Sequence, residues 1–156
     1  ARYSEVGSDY IYNMERLLRK FDTARALVPQ PIIGRAQGKA AAGVIYYGST
    51  SPAMAEALAL LRAQDVQLDH LRVRAFPFPD SVADFIARHE TVFVVEQNRD
   101  AQLRTLLVNE LGIDPARLVP VLHYDGTPIT ARFIVNAVAE RVQARNVRAL
   151  KPGMAA

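Results

Sequence analysis

No cysteine occurs among the 156 residues, so this chain can form no disulfide and can ligate no iron–sulfur cluster through thiolates. Any redox chemistry has to sit elsewhere, and the cytoplasm is the expected compartment. No apolar run approaches the roughly 20 residues of a membrane span, which predicts a soluble chain with no membrane partner. The first residues lack the basic and apolar regions of a signal peptide, and they do not start with methionine. The expectation is a processed chain or a piece of a longer one. Net charge is also low, +3 from 19 Lys plus Arg against 16 Asp plus Glu. Much of the excess is local, because Arg141, Arg145, Arg148 and Lys151 recur three or four apart near the C-terminus. That spacing predicts a solvated helix end. A nucleic-acid surface would need a broader basic face with aromatic platforms, so no nucleic-acid partner is expected.

What is present is globular composition, with 50% hydrophobic and 22% charged residues. The length suits one domain with a real core. Residues 10 to 28 carry Met14, Leu17, Leu18, Phe21, Ala24 and Val28 at helical spacing, with Arg16, Arg19 and Lys20 largely on the other face. Pro29, Pro31, Gly34 and Gly38 then read as a connector. Residues 1–39 are therefore expected to be a helix and linker from a preceding domain, and residues 40–156 the compact unit.

Four apolar runs follow, at residues 43–48, 68–76, 91–97 and 118–124, alternating with four helical patterns. The runs Val44 to Tyr47 and Val92 to Val95 are continuously apolar, as strands buried on both faces must be. Strict alternation of strand and helix predicts a three-layer α/β/α fold with a mainly parallel sheet. Ligands and partners of such sheets are met at the carboxyl edge of the strands, where loops and helix N-termini collect. Four loops reach that edge: residues 48–52, 76–80, 96–100 and 123–130.

Each loop has a structural and a functional reading. Gly48, Ser49 and Thr50, followed by Pro52, can form a plain turn and helix start in which a hydroxyl caps, or a candidate anion site. In "EQNRD", Asp100 is placed to cap a helix starting at Ala101, and Gly112 to end it. Glu96, Gln97, Asn98 and Arg99 are a dense set of directional hydrogen-bonding groups for a strand end, and are candidates for contact with another subunit or a substrate. Groups satisfied across such an interface would be exposed in the isolated segment. In "HYDGTPIT", Asp125 and Gly126 make a turn, Thr127 and Pro128 lead into the last helix, and His123 and Tyr124 sit at the strand end. The histidine reads as a structural residue, since nothing beside it in sequence supplies an acid or nucleophile. "GRAQGKA" fails as a P-loop on spacing and position, and no GxGxxG, GxSxG or HExxH occurs. His70, His89 and His123 are too scattered to suggest a metal site, so no catalytic or metal-ligating residue is assigned.

The segments "RLLRKFDTARALVPQP", "GVIYYGSTSPAMAEAL", "LRVRAFPFPD", "VFVVEQNRDAQLRTLL" and "HYDGTPIT", in this order, resemble the C-terminal part of the alpha subunit of 2-oxoacid:ferredoxin oxidoreductases, the 2-oxoglutarate type in particular. The resemblance implies a transketolase C-terminal-like domain of an enzyme that decarboxylates a 2-oxoacid on thiamine diphosphate. It also implies acyl transfer to coenzyme A and electron transfer through an iron–sulfur cluster to ferredoxin. Magnesium, the diphosphate and the cluster would be held in the wider complex, the last two by the beta subunit, and no cofactor is assigned to this segment. The role implied for this segment is subunit assembly and active-site access, through Glu96 to Arg99, Gly48 to Thr50 and His123 to Gly126. Two alternatives of other classes stand beside it: a free-standing anion- or nucleotide-binding module, and a purely structural assembly domain. The transketolase C-terminal-like fold usually has a further first strand, antiparallel to the rest, which only Pro31 to Gly34 or the alanine run at Ala40 could supply. The family pattern also often has glycine before the residue corresponding to Gln102, where this chain has Ala101.

Overall fold

The computed structural model describes residues 3–149, with side chains described through Val142. A helix α1 (Gly7–Leu27) leads into a short strand β1 (Ile32–Gly34). Then follow β2 (Ala42–Tyr47), α2 (Ser51–Ala63), β3 (Leu68–Val73), α3 (Asp80–Ala87), β4 (Val92–Glu96), α4 (Gln102–Leu111), β5 (Leu118–Leu122) and α5 (Ala131–Ala149). The sheet order is β1-β3-β2-β4-β5. Pairs β2/β3, β2/β4 and β4/β5 are parallel, and β1 runs antiparallel to β3 with Gly34 opposite His70. The antiparallel first strand is thus supplied by Ile32 to Gly34, not by the alanine run, and the sheet begins upstream of the expected Ala40 boundary.

Alternate residues of the central strands face opposite helical layers. On one face Val44, Tyr46, Phe93 and Val95 pack with Met54 and Leu61 of α2 and Ile134 and Val138 of α5. On the other, Ile45, Val92 and Val94 pack with Val82, Phe85 and Ile86 of α3 and Leu103 and Leu107 of α4. The continuous apolar runs belong to β2 and β4, which have parallel strands on both sides; β3, between β2 and the short antiparallel β1, is less buried.

At the opposite, amino edge of the parallel strands a polar network ties the connector to the sheet. Asp69 of β3 accepts hydrogen bonds from the Arg35 guanidinium (2.8 Å), the Ala36 N–H (2.8 Å) and His89 Nε2 (3.1 Å). The other ring nitrogen of His89 meets the Phe85 carbonyl at 2.8 Å. Burial works against the Asp69 charge, but the Ala36, Arg35 and His89 hydrogen bonds outweigh it and hold the carboxyl below its usual range. Beside this network Gly43 runs close to α3, and a Cβ there would lie 2.9 Å from Phe85 Cε1 and 3.0 Å from His89 Nδ1. Both rings are buried and His89 is held from two sides, so neither can move freely. Gly43→Ala is expected to cost about 1–3 kcal/mol, read as a lower urea midpoint at unchanged m-value. A wild-type midpoint would show that α3 shifts without cost.

Helix α1 stands apart from this packing, with none of its residues buried. Its contacts with the α/β unit include Phe21 against Phe76, with ring centroids 6.3 Å apart, and Arg25 with Asp80 at 3.6 Å. Arg141 is exposed and bonds the Ala137 carbonyl on its own helix. The side chains of Arg145, Arg148 and Lys151 lie outside the described residues.

Candidate functional site

The carboxyl edge brings together the loops after β2, β4 and β5, and the polar residues of "EQNRD" divide into two groups there. Glu96, the last residue of β4, is fully buried. Its Oε2 accepts from the Leu103 N–H at 2.6 Å and from Asn98 Nδ2 at 2.8 Å, and its Oε1 accepts from the Arg104 N–H at 3.0 Å. The strand's final carboxylate therefore caps α4, satisfying two of the N–H groups that a helix start leaves without partners. Asn98 Oδ1 adds bonds from the Asp100 and Gln102 N–H groups at 3.1 and 3.2 Å.

Three sequence expectations are corrected at these helix starts. Asp100 does not cap α4, and the helix does not start at Ala101. Ala101 is left-handed at φ 50°, which folds the turn back so that Glu96 and Asn98 reach the first helical amides, while Asp100 pairs with Arg99 at 2.7 Å. Gly112 does end the helix, at φ 61°. The last helix starts at Ala131, where the Thr130 hydroxyl accepts from the Phe133 N–H. Thr127 instead closes the preceding turn by donating its N–H and hydroxyl to Asp125, at 2.8 and 2.7 Å. At α2 no hydroxyl caps the helix; a 3-10 turn over Gly48–Thr50 leads in, with the Ser51 hydroxyl donating to the Gly48 carbonyl.

At φ 50° Ala101 occupies a conformation that favours glycine. The left-handed backbone costs a Cβ-bearing residue about 1–2 kcal/mol, and glycine avoids it. Ala101→Gly is expected to raise stability by about 1 kcal/mol and the melting temperature by about 3 °C. An unchanged or lower melting temperature would mean that the strain is relieved elsewhere.

Gln97 is a clamp between loops. Its Nε2 donates to the Ser49 and Thr50 hydroxyls at 3.0 and 3.2 Å, and its Oε1 accepts from the Ile129 N–H at 3.3 Å. Thr50 is buried, so of the candidate anion site Gly48 and Ser49 face solvent and the Ser49 hydroxyl already has a protein partner. His123 is buried against Phe133, its ring edge-on with centroids 4.8 Å apart, and its Nε2 lies 3.4 Å from Asp125 Oδ1. The Thr127 N–H and hydroxyl hold the Asp125 carboxyl below its usual range, with burial opposing and His123 assisting. Glu96, Gln97 and Asn98 thus differ from the expectation of exposed groups, because their hydrogen bonds are satisfied within the chain. Exposed at this edge are Ser49, Arg99, Tyr124, Asp125 and Gly126.

Beside these loops lies an apolar cavity of about 450 Å³ lined by Tyr47, Phe76, Phe78, Leu103 and Leu106, with Arg74 at its border. Phe76 and Phe78 meet edge to face at 5.3 Å, flanking a cis Phe76–Pro77 bond. Sequence reading missed this cavity, since its walls come from three separated segments. It also missed Arg117, whose guanidinium binds the Ile86, Ala87 and His89 carbonyls at the end of α3, and Arg104, which reaches the Leu118 and Pro115 carbonyls. The signal available was an isolated charged residue inside an otherwise apolar stretch, as for Asp69 in "LDHLRV" and Arg117 in "PARLV".

No group of three or more His, Asp or Glu side chains among the described residues is arranged to hold a metal ion. No described helix is long and apolar enough to cross a membrane.

The antiparallel first strand on an otherwise parallel five-stranded sheet, with helices on both faces, gives an α/β fold shared with solved transketolase and 2-oxoacid oxidoreductase chains. A split-gene transketolase, solved as an inactive beta4 tetramer, superimposes with a TM-score of 0.55 over 72% of this chain and 41% of its own, at 19% identity. The 2-oxoglutarate:ferredoxin oxidoreductase of Magnetococcus marinus, solved with 2-oxoglutarate, coenzyme A and succinyl-CoA bound, superimposes with a TM-score of 0.78 over 90% of this chain and 24% of that one, at 24% identity. In sequence, the chain is similar to the alpha subunit of 2-oxoacid:ferredoxin oxidoreductase 2 of Aeropyrum pernix, 29% identical over 124 residues, which is 77% of this chain. It spans 19% of that relative's length. No family model matches the chain.

Proposed function

We propose that this chain is the C-terminal domain of the alpha subunit of a thiamine diphosphate-dependent 2-oxoacid:ferredoxin oxidoreductase of the 2-oxoglutarate type. The whole enzyme would oxidatively decarboxylate its 2-oxoacid to an acyl-CoA and pass electrons to ferredoxin. The observation that carries this reading is the 29% identity over 124 residues with an alpha subunit of that class. The five ordered motifs and the fold likeness to the solved oxidoreductase support it.

Within the complex, residues 1–39 serve as the arm leading in from a neighbouring domain, and the carboxyl edge serves assembly with the beta subunit and access of substrate and coenzyme A. The division of the edge supports a positioning role. Glu96, Gln97 and Asn98 brace the loops, and Arg99, Tyr124 and Asp125 are left outward for a partner.

The test is the full-length alpha subunit co-expressed with its neighbouring subunit, assayed for 2-oxoglutarate- and coenzyme A-dependent reduction of a low-potential acceptor. Activity is expected, and Arg99→Ala together with Tyr124→Ala should weaken assembly or raise the apparent KM about tenfold while the melting curve stays unchanged. A well-formed complex inactive with every small 2-oxoacid would remove the reading. Wild-type assembly and kinetics in the double variant would remove the role given to this edge.

A further inference from the structure

The apolar cavity of about 450 Å³ beside the carboxyl edge is walled by this chain's own residues, and its size falls within the roughly 300–1,000 Å³ of ordinary small-molecule sites. Val73 ends β3 at it, Phe76 and Phe78 stand edge to face with centroids 5.3 Å apart, and Leu103 and Leu106 come from the first turns of α4. Phe78 and Leu103 are buried, whereas Tyr47, Phe76 and Leu106 keep exposed ring or methyl surface. No Asp or Glu lines it.

Three polar side chains border the same cavity, those of Arg74, Tyr47 and Gln102, and among the described residues none of the three makes a side-chain hydrogen bond or ion pair. Elsewhere at this edge such groups are used within the molecule, as Glu96 caps α4 and Gln97 clamps two loops. The guanidinium can only donate, and the hydroxyl and the amide can each donate, so the group that suits all three is an anionic acceptor. A single charge is the limit. A second carboxylate laid against Leu103 and Leu106 would lose water without gaining a partner, so a diacid or a nucleotide fits poorly. A ring fits well, because the aromatic walls can meet it edge-on or offset.

We propose that this cavity binds a small aromatic monocarboxylate. The ring lies against Phe76, Phe78 and Leu106, and the carboxylate meets Arg74, with the Tyr47 hydroxyl and the Gln102 amide as further donors. The site consists of this chain's own residues and stands or falls separately from the oxidoreductase reading.

Titration of the 156-residue chain with 2-naphthoate, followed by calorimetry and by amide chemical shifts, tests it. Saturable one-to-one binding is expected, with the shifts centred on Phe76, Leu103 and Leu106. The neutral isostere 2-naphthamide and the ring-free diacid glutarate should each bind at least about tenfold more weakly. Arg74→Ala should weaken 2-naphthoate about tenfold and leave 2-naphthamide unchanged, while Leu106→Trp, which fills the cavity, should abolish both. Arg74 and Leu106 are exposed, so neither variant should move the melting curve. The same titration of the full-length alpha subunit assembled with its neighbouring subunit separates a ligand site from a protein contact, and retained binding there supports the site. Absence of saturable binding would overturn the proposal. So would equal affinity for acid and amide, indifference to Arg74→Ala, shifts centred elsewhere, or loss of binding on assembly, which would make the cavity a seat for a segment of the neighbouring subunit.

Discussion

Glu96→Gln is expected to destabilise the domain by about 2–3 kcal/mol, and Glu96→Ala by about 3 kcal/mol or more, lowering the melting temperature by about 10 °C in the second case. The reason is geometric. The Leu103 N–H, the Arg104 N–H and the Asn98 amide are all donors, and both carboxylate oxygens face them. A glutamine must turn its own NH2 toward at least one of these donors, so one bond becomes a donor–donor contact inside the core. Alanine leaves all three without this partner in a place water does not reach, since Glu96 is fully buried. Hydrogen exchange gives the local signature: the Leu103 and Arg104 amides should lose protection in Glu96→Gln more than amides of β2 do. If Glu96→Gln melts within about 0.5 kcal/mol of wild type, the cap is not what holds the start of α4.

Asp69→Asn is expected to cost about 2 kcal/mol near neutral pH, less than a wholly buried pair would, because Arg35 is half exposed and only His89 is buried with it. The effect should depend on pH with a definite sign. The Asp69 carboxyl is held below its ordinary value in the folded protein, so the unfolded chain binds its proton first. Its contribution is full above about pH 4 and is lost as pH falls further, through the folded value. The wild-type advantage over Asp69→Asn should therefore shrink as pH falls below about 4.

His70 beside it behaves differently. Burial lowers its pKa, opposed by the Asp69 charge, so its contribution is full above about pH 6.5 and declines as pH falls below that. Replacing His70 with Asn should flatten the stability profile between about pH 6.5 and 4 and leave the steeper acid limb to Asp69. Urea midpoints measured at half-unit steps separate the two. An advantage over Asp69→Asn that stays undiminished well below about pH 4 would contradict the network.

The strands and helices of the α/β unit were legible because their patterns are local. Val44 to Tyr47 and Val92 to Val95 read as inner strands from apolar continuity alone, and α2 to α5 from single stripes at helical spacing. The loops were harder to read, since a polar residue next to a helix start looks the same whether it caps, clamps or faces a partner. Asp100 had the local chemistry of a cap, and Glu96, four residues earlier, took that work because Ala101 turned left-handed. Thr127 had the hydroxyl and the following proline of a helix start, and Asp125 captured it. The resemblance to the oxidoreductase alpha subunits was legible in five ordered motifs, which need no geometry.

By itself the sequence determined the α/β class, the places of the buried strands and the helix C-cap at Gly112, because periodicity, apolar continuity and glycine's backbone freedom act within a few residues. It also determined that no thiolate chemistry can reside here. Only the tertiary structure decided which strand lies at the antiparallel edge and that Asp69, Arg35 and His89 meet across three elements. It alone decided that Glu96 and Gln97 are spent inside the molecule while Arg99 and Tyr124 are left outside. Those outcomes depend on which donors the chain brings within 3 Å of an acceptor from distant segments, and a one-dimensional pattern carries no record of that distance.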